Sequence, residues 1–327
     1  MVSSKFSLLL LFNSIRQQIM VLLFITLAFI NLSTAQAASD NSLLKVNYGT
    51  DGLITGGAIL GWGLTNLLPV DTQNKWDKEL LTIDESVKQN FSPTAAKYSD
   101  ISLITTISMP LLILTSQGLN ERYSQNALLY GQAVGINLLL NNIVKHAIQR
   151  PRPYVYNSDI KVQEYASTQG NDSRLSFYSG HASTAFTGAV AGSYLFAVAE
   201  SNHKLSALVW GTQLAFASAT ANWRIKAGKH YYSDVLVGVI MGSLCGVAIP
   251  LLHQDQTTRY QPTAIEWLAM ASGISTGIIL SQLLPFEKAL AEQDVVNKQH
   301  PSEALLTLNV VPMVVSHGGG LMLVGEF

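Results

Sequence analysis

The sequence predicts an all-α fold: a helical bundle of about six core helices, membrane-embedded, with a C-terminal β-hairpin tail. Three observations lead there. Charged residues make up 13% of the 327-residue chain, against roughly 25% in an average soluble domain. Hydrophobic residues reach 48% and the mean hydropathy is +0.25. Finally, residues 52–70, 101–120, 126–144, 182–199, 205–222, 235–252 and 267–286 contain no Asp, Glu, Lys or Arg, and each approaches the roughly 20 residues that cross a bilayer.

The elements follow in chain order. Lys5 and Arg16 precede an apolar run over 19–30, and Ala35-Gln36-Ala37 is a small-x-small cleavage pattern. Residues 1–37 therefore read as a secretory signal, with an uncleaved anchor as the alternative, and either places residue 40 outside the cytoplasm. Residues 38–100 form an N-terminal helical and linker region. Its apolar stretch, 52–70, carries Gly52, Gly56, Gly57, Gly61 and Gly63 and is the weakest candidate span. Residues 101–254 form the core and 255–327 a last helix and the tail. The core helices carry polar groups (Gln132, Asn137, Asn141, Asn142) and many small residues. Small residues allow close helix packing in a membrane, but buried helices of a soluble bundle look the same, so a wholly soluble bundle stays open. In the tail, 307–315 and 321–327 read as strands joined by a turn over 316–320. One hairpin cannot close a barrel.

Lys plus Arg number 20 and Asp plus Glu 21, a net charge of -1, so no overall basic field exists to attract nucleic acid. Cys245 is the only cysteine and cannot form an intrachain disulfide.

Chemistry is expected in the two loops richest in charge and turn residues, 150–178 and 223–233. Three clusters border them. In the first, Lys145 lies in the last turn of a helix that Pro151 must end, and Arg152 follows in a segment stiffened by its prolines. In the second, Tyr178-Ser179-Gly180-His181 leads into an apolar helix. Ser179 can cap it, Gly180 lets a ligand approach the backbone, and the free N–H groups of the helix start favour an anion. In the third, Arg224 precedes His230 and Asp234. If the helix begins near His230, the latter two share a face, and a carboxylate on one imidazole nitrogen leaves the other basic and directed outward. Arg150, Lys226 and Lys229 either add positive potential to the site or are solvated, and the preferred reading is solvent-facing cations. His146, His203, His253, His300 and His317 lie outside these clusters and are not arranged as metal ligands.

Together the clusters resemble the signature of the type-2 phosphatidic acid phosphatase and vanadium haloperoxidase superfamily: Lys, six residues, Arg-Pro; then Pro-Ser-Gly-His; then Ser-Arg, five residues, His, three residues, Asp. All three spacings are kept, over a helical context of roughly 100–252. Two positions depart: Tyr178 stands where the pattern has Pro and Trp223 where it has Ser, which bears on loop rigidity and substrate fit. The resemblance implies a phosphatase that needs no metal and no cofactor. Lys145, Arg152, Ser179, Gly180 and Arg224 would bind phosphate. His230 would be the nucleophile that forms a phosphohistidine, Asp234 would orient it, and His181 would serve as general acid and base. The expected partners are a membrane and a phosphorylated lipid (phosphatidic acid or a polyprenyl diphosphate) or small phosphoester. The expected place is the cell envelope: an inner membrane with the site facing the periplasm, since spans over 101–120 and 126–144 return the chain outward. A soluble periplasmic acid phosphatase is the close alternative; a vanadate-dependent haloperoxidase and a non-catalytic lipid-phosphate binder are more distant ones.

Overall fold

A computed structural model of the protein describes residues 44–72, 80–254 and 259–283, and the backbone of two strands at 307–315 and 318–326. The leader read over 1–37 lies outside the described residues, as do His300 and His317. The chain divides into two units, Met1–Lys288 and Ala289–Phe327.

Nine α-helices are described in the first unit: α1 (Tyr48–Thr65), α2 (Thr82–Glu85), α3 (Pro93–Leu114), α4 (Glu121–Ile148), α5 (Ile160–Thr168), α6 (Gly180–Ala199), α7 (His203–Lys226), α8 (Tyr232–His253) and α9 (Ala264–Leu283). In the second, β1 (Thr307–Val315) and β2 (Gly318–Glu326) pair antiparallel, Val311 opposite Met322.

Local chemistry sets the helix ends. Ser92, Asn120, Ser179 and Asn202 cap α3, α4, α6 and α7, each side chain accepting N–H groups from the first turn. Helix α3 begins eight residues before the apolar stretch at 101, because Ser92 and Pro93 supply a cap and a first-turn proline. This places Asp100 inside the helix. Helix α4 ends at Ile148 and is capped by Gln149 in the left-handed conformation, two residues before Pro151. The short helix α5 lies within what the sequence shows only as a polar loop; Asp159 caps it.

Helix α6 is the axis of the bundle. Sixteen of its residues are buried, against α3, α4, α7 and α8. Its small residues let α8 come close: a Cβ on Gly242 would lie 2.1 Å from the Ser183 carbonyl oxygen, so only glycine permits that contact. Large apolar side chains such as Leu53, Leu112, Leu236, Leu244 and Leu268 point outward. Among the described residues, five segments are long and apolar enough to cross a membrane: Pro93–Gln117, Glu121–Tyr156, Gly180–Ala199, Tyr232–His253 and Ala264–Leu283. Neither α1 nor α7 is among them. For α7 this differs from the expectation at 205–222. Its stretch is diluted by Ser206, Gln213, Ser218 and Thr220, which are buried.

Candidate active site

The three clusters meet at one end of the bundle, where α4 and α7 finish and α6 and α8 begin. The connecting loops are tied together there by main-chain bonds. The Ser176 N–H donates to Arg150 O, the Arg152 N–H to Ser173 O, and the Ser179 N–H to Asp234 O. Gly228, at φ 68°, turns the chain out of α7, and the N–H groups of Lys229 and His230 then close back on Arg224 O.

His230 is 1% exposed. Its Nδ1 lies 2.8 Å from the Ser176 carbonyl oxygen, and Arg152 Nη1 donates to its Nε2 at 3.1 Å. A carbonyl only accepts and a guanidinium only donates. The proton is therefore assigned to Nδ1 and the lone pair to Nε2, which is the side facing the cations. Burial first, then Arg152, Arg224, Lys145 and His181, hold its pKa well below the usual imidazole value, so it stays neutral.

Asp234 does not bond the imidazole directly as expected. Its Oδ2 stands 3.7 Å from Nδ1, because α8 starts at Tyr232 and His230 lies ahead of it, so the pair does not sit on successive turns. Instead Oδ2 accepts from Ser176 Oγ at 2.5 Å and from the Tyr231 N–H at 3.0 Å. Ser176 thus connects Asp234 to His230, its hydroxyl on one and its carbonyl on the other.

Two cations read as solvent-facing are not. Arg150 is 7% exposed and lies between Asp84 and Asp234. Lys229 packs over the rings of Tyr154 and Tyr165. Burial, then Arg152 and Arg224, push the Lys229 pKa down to about 7. Lys226 donates to Ser281 O at 2.7 Å.

Arg152 is held from both sides. Its Nε and Nη2 donate to Asp172 O and Oδ1 at 2.8 and 2.6 Å, and Nη1 also reaches Lys229 O at 2.9 Å. Burial opposes the charge of Asp172, but Arg152, Lys229 and Lys145 outweigh it and keep the carboxyl far below its ordinary pKa. At the start of α6, a Cβ on Gly180 would fall 2.8 Å from Asn141 Oδ1 and 3.3 Å from Lys145 Nζ. The lysine ammonium therefore lies beside the start of the helix, and a Cβ at 180 would crowd it and Asn141. Arg224 Nη1 donates to Ser99 Oγ at 3.0 Å and approaches Asp100 Oδ1 at 3.4 Å. His181 Nε2 meets the same Asp100 oxygen at 2.8 Å. Asp100, Ser176, Asp172 and Asp84 are absent from the sequence reading. Only Asp100 leaves a trace there, as a lone charge at the edge of an apolar stretch.

The family model of the PAP2 superfamily matches residues 126–258. This part of the chain belongs to the PAP2 superfamily. The matched span holds every residue of the three clusters, and PAP2 members are in general phosphatases, which supports a phosphatase-type activity. No solved structure matches the chain. Asp84, Ser99 and Asp100 come from outside the PAP2 span and close one side of its site. Among the described residues, no three His, Cys, Asp or Glu side chains are grouped to hold a metal ion.

Lys229 is expected to give phosphate binding a pH dependence. A cation with a pKa of about 7 favours anion binding below that pH and stops doing so as pH rises through it. The inhibition constant of inorganic phosphate is therefore expected to rise severalfold between pH 6 and 8. In Lys229→Met that rise should be smaller than in the wild type, as read by competition kinetics at each pH.

Proposed function

We propose that the protein is a metal-independent phosphatase acting on a lipid phosphate or diphosphate through a phosphohistidine intermediate. The observation that carries this reading is the buried His230, with Arg152 Nη1 3.1 Å from its Nε2 and the charges of Arg224 and Lys145 acting on the ring. The Ser179 N–H, expected to bind phosphate, is taken by Asp234 O; phosphoryl oxygens binding to these cations and to the Gly180 N–H would draw the Arg152 N–H off Nε2 and free it to attack phosphorus in line. The alkoxide leaves as the N–P bond forms. His181, once protonated at Nδ1 with its Nε2–H held by Asp100, gives the alkoxide that Nδ1 proton, and the neutral imidazole then takes one from the water that breaks the N–P bond. Fixed cations stabilise the charge that grows on the equatorial oxygens.

The outward apolar surfaces support a lipid substrate, and so does a groove of about 820 Å³ between α7 and α9. The groove extends from Lys204 to Trp223, and Trp223 immediately precedes Arg224 and packs on Tyr98, next to Ser99 and Asp100. A substrate's apolar tail lying in the groove would end at the cradle. The residue that departs from the family pattern at 223 thus becomes part of the tail's path. We place the protein in the inner membrane with the site on the periplasmic face. The candidate spans Pro93–Gln117 and Glu121–Tyr156, the second of which carries Lys145 and Arg152 near its end, support that side together with the leader read from the sequence. A soluble periplasmic phosphatase would use the same cradle.

Phosphate release from a long-chain lipid phosphate and from an aryl phosphate, each in excess EDTA, tests the reading. Full activity in chelator, with preference for the lipid, is expected. Loss of turnover restored by Mg²⁺ would overturn the metal-independent mechanism, and preference for the soluble ester would favour the soluble enzyme.

A further inference from the structure

Three buried charges lie in a row behind His230. Arg150 Nη1 donates to Asp234 Oδ1 at 2.6 Å, and Nη2 to Asp84 Oδ2 at 3.0 Å. Both carboxylates are 0% exposed. Ser233 bridges the row: its hydroxyl accepts from Arg150 Nη1 at 2.8 Å and donates to Asp84 Oδ2 at 2.5 Å, while its N–H donates to Asp84 Oδ1 at 3.0 Å. The guanidinium also lies over the Tyr231 ring, 4.1 Å from its centre. Asp84 comes from α2, a four-residue helix outside the PAP2 span.

A carboxylate buried alone takes up a proton rather than stay charged, so Asp234 needs a cation to remain an anion beside His230. One guanidinium would cancel that anion. Asp84, on the far side of Arg150, makes two carboxylates against one cation and restores a net negative charge. We propose that Asp84 and Arg150 are positioning residues that keep the Asp234 group singly negative, and so support the positive charge that develops on the His230 imidazole as the N–P bond forms. The proposal rests on the phosphohistidine reading above. The other charged groups around His230 are Arg152, Arg224, Lys145 and His181, with Asp172 paired to Arg152 and Asp100 to Arg224 and His181. Asp84 and Asp234 are the acids on the Nδ1 side of the ring.

The test uses the full-length protein, an aryl phosphate, and trapping of the phosphoenzyme. Asp84→Asn keeps the shape but removes one negative charge. Phosphoenzyme formation and kcat are expected to fall about tenfold, equivalent to about 1.4 kcal/mol of transition-state support. A lost negative charge also makes imidazolium less favourable, so the acid limb of kcat/KM should move to lower pH by about half a unit. Competitive inhibition by inorganic phosphate at the working pH should be unchanged, because the cradle is intact. Arg150→Lys keeps the count of charges but not the fork, so kcat should fall with the acid limb in place; it also provides a reading if Asp84→Asn does not fold. An unmoved acid limb in Asp84→Asn, or a displaced one in Arg150→Lys, would overturn the proposal. If the wild-type protein formed no phosphoenzyme, the function proposed above would fall and this inference with it.

Discussion

His230→Ala is expected to remove turnover almost entirely, by about 10⁵-fold or more, the scale seen when a hydrolase loses its nucleophile. The imidazole is the buried base whose Nε2 meets Arg152 at 3.1 Å, and its Nδ1 proton is committed to Ser176 O. Alanine leaves the cradle with no atom to receive the phosphoryl group. Phosphate binding should survive, because Lys145, Arg152, Arg224 and the α6 N-terminus remain. Losing the Arg152 contact at 3.1 Å frees an N–H for the ligand. The measurement is rapid-quench trapping of labelled phosphoenzyme, together with inhibition of the wild type and binding of phosphate by the variant. A variant that still formed phosphoenzyme would remove His230 from the nucleophile's role. Wild-type activity should also persist well below pH 6, because the depressed pKa keeps the imidazole neutral where an ordinary histidine would be protonated.

The three clusters were legible because each is a short stretch of chain: a fixed spacing on a helix end places its members whatever the rest of the fold does. What the sequence hid is held across long separations. His181 and Asp100 are 81 residues apart, Arg150 and Asp84 66, and Ser176 and Asp234 58. No periodicity links such partners, and each acid alone looks like an ordinary surface charge. The same blindness explains Arg150 and Lys229. A cation in a polar loop reads as solvent-facing until the loop is folded against two carboxylates or two tyrosine rings. The helices were legible from their apolar runs, but their caps extended α3 and α4 beyond them, and that extension carries Asp100 into the site.

The relation between Asp100 and His181 leads to the second large effect. Asp100 accepts from the Nε2–H at 2.8 Å, so a leaving oxygen takes its proton from Nδ1 of the imidazolium form. His181 is 30% exposed at its side chain, whereas His230 is 1% exposed. That contrast suits a proton donor open to water and a nucleophile shielded from it. His181→Ala should therefore retain phosphate binding and the nucleophile. Its loss should depend on the leaving group, reaching about 10²–10⁴-fold for alkyl phosphates, the usual worth of positioned acid catalysis. With nitrophenyl phosphate, whose leaving group departs as an anion, the loss in phosphoenzyme formation should be much smaller. Breakdown of the phosphoenzyme also needs a base to activate water, so the variant should accumulate that intermediate on the activated ester. Burst kinetics with a series of phenyl and alkyl phosphates measures both effects. The expected result is a steeper dependence of burst rate on leaving-group pKa than in the wild type, with a slow steady state after the burst. Equal losses across the series would take His181 out of the acid's role and leave Asp100 as a partner of Arg224 alone.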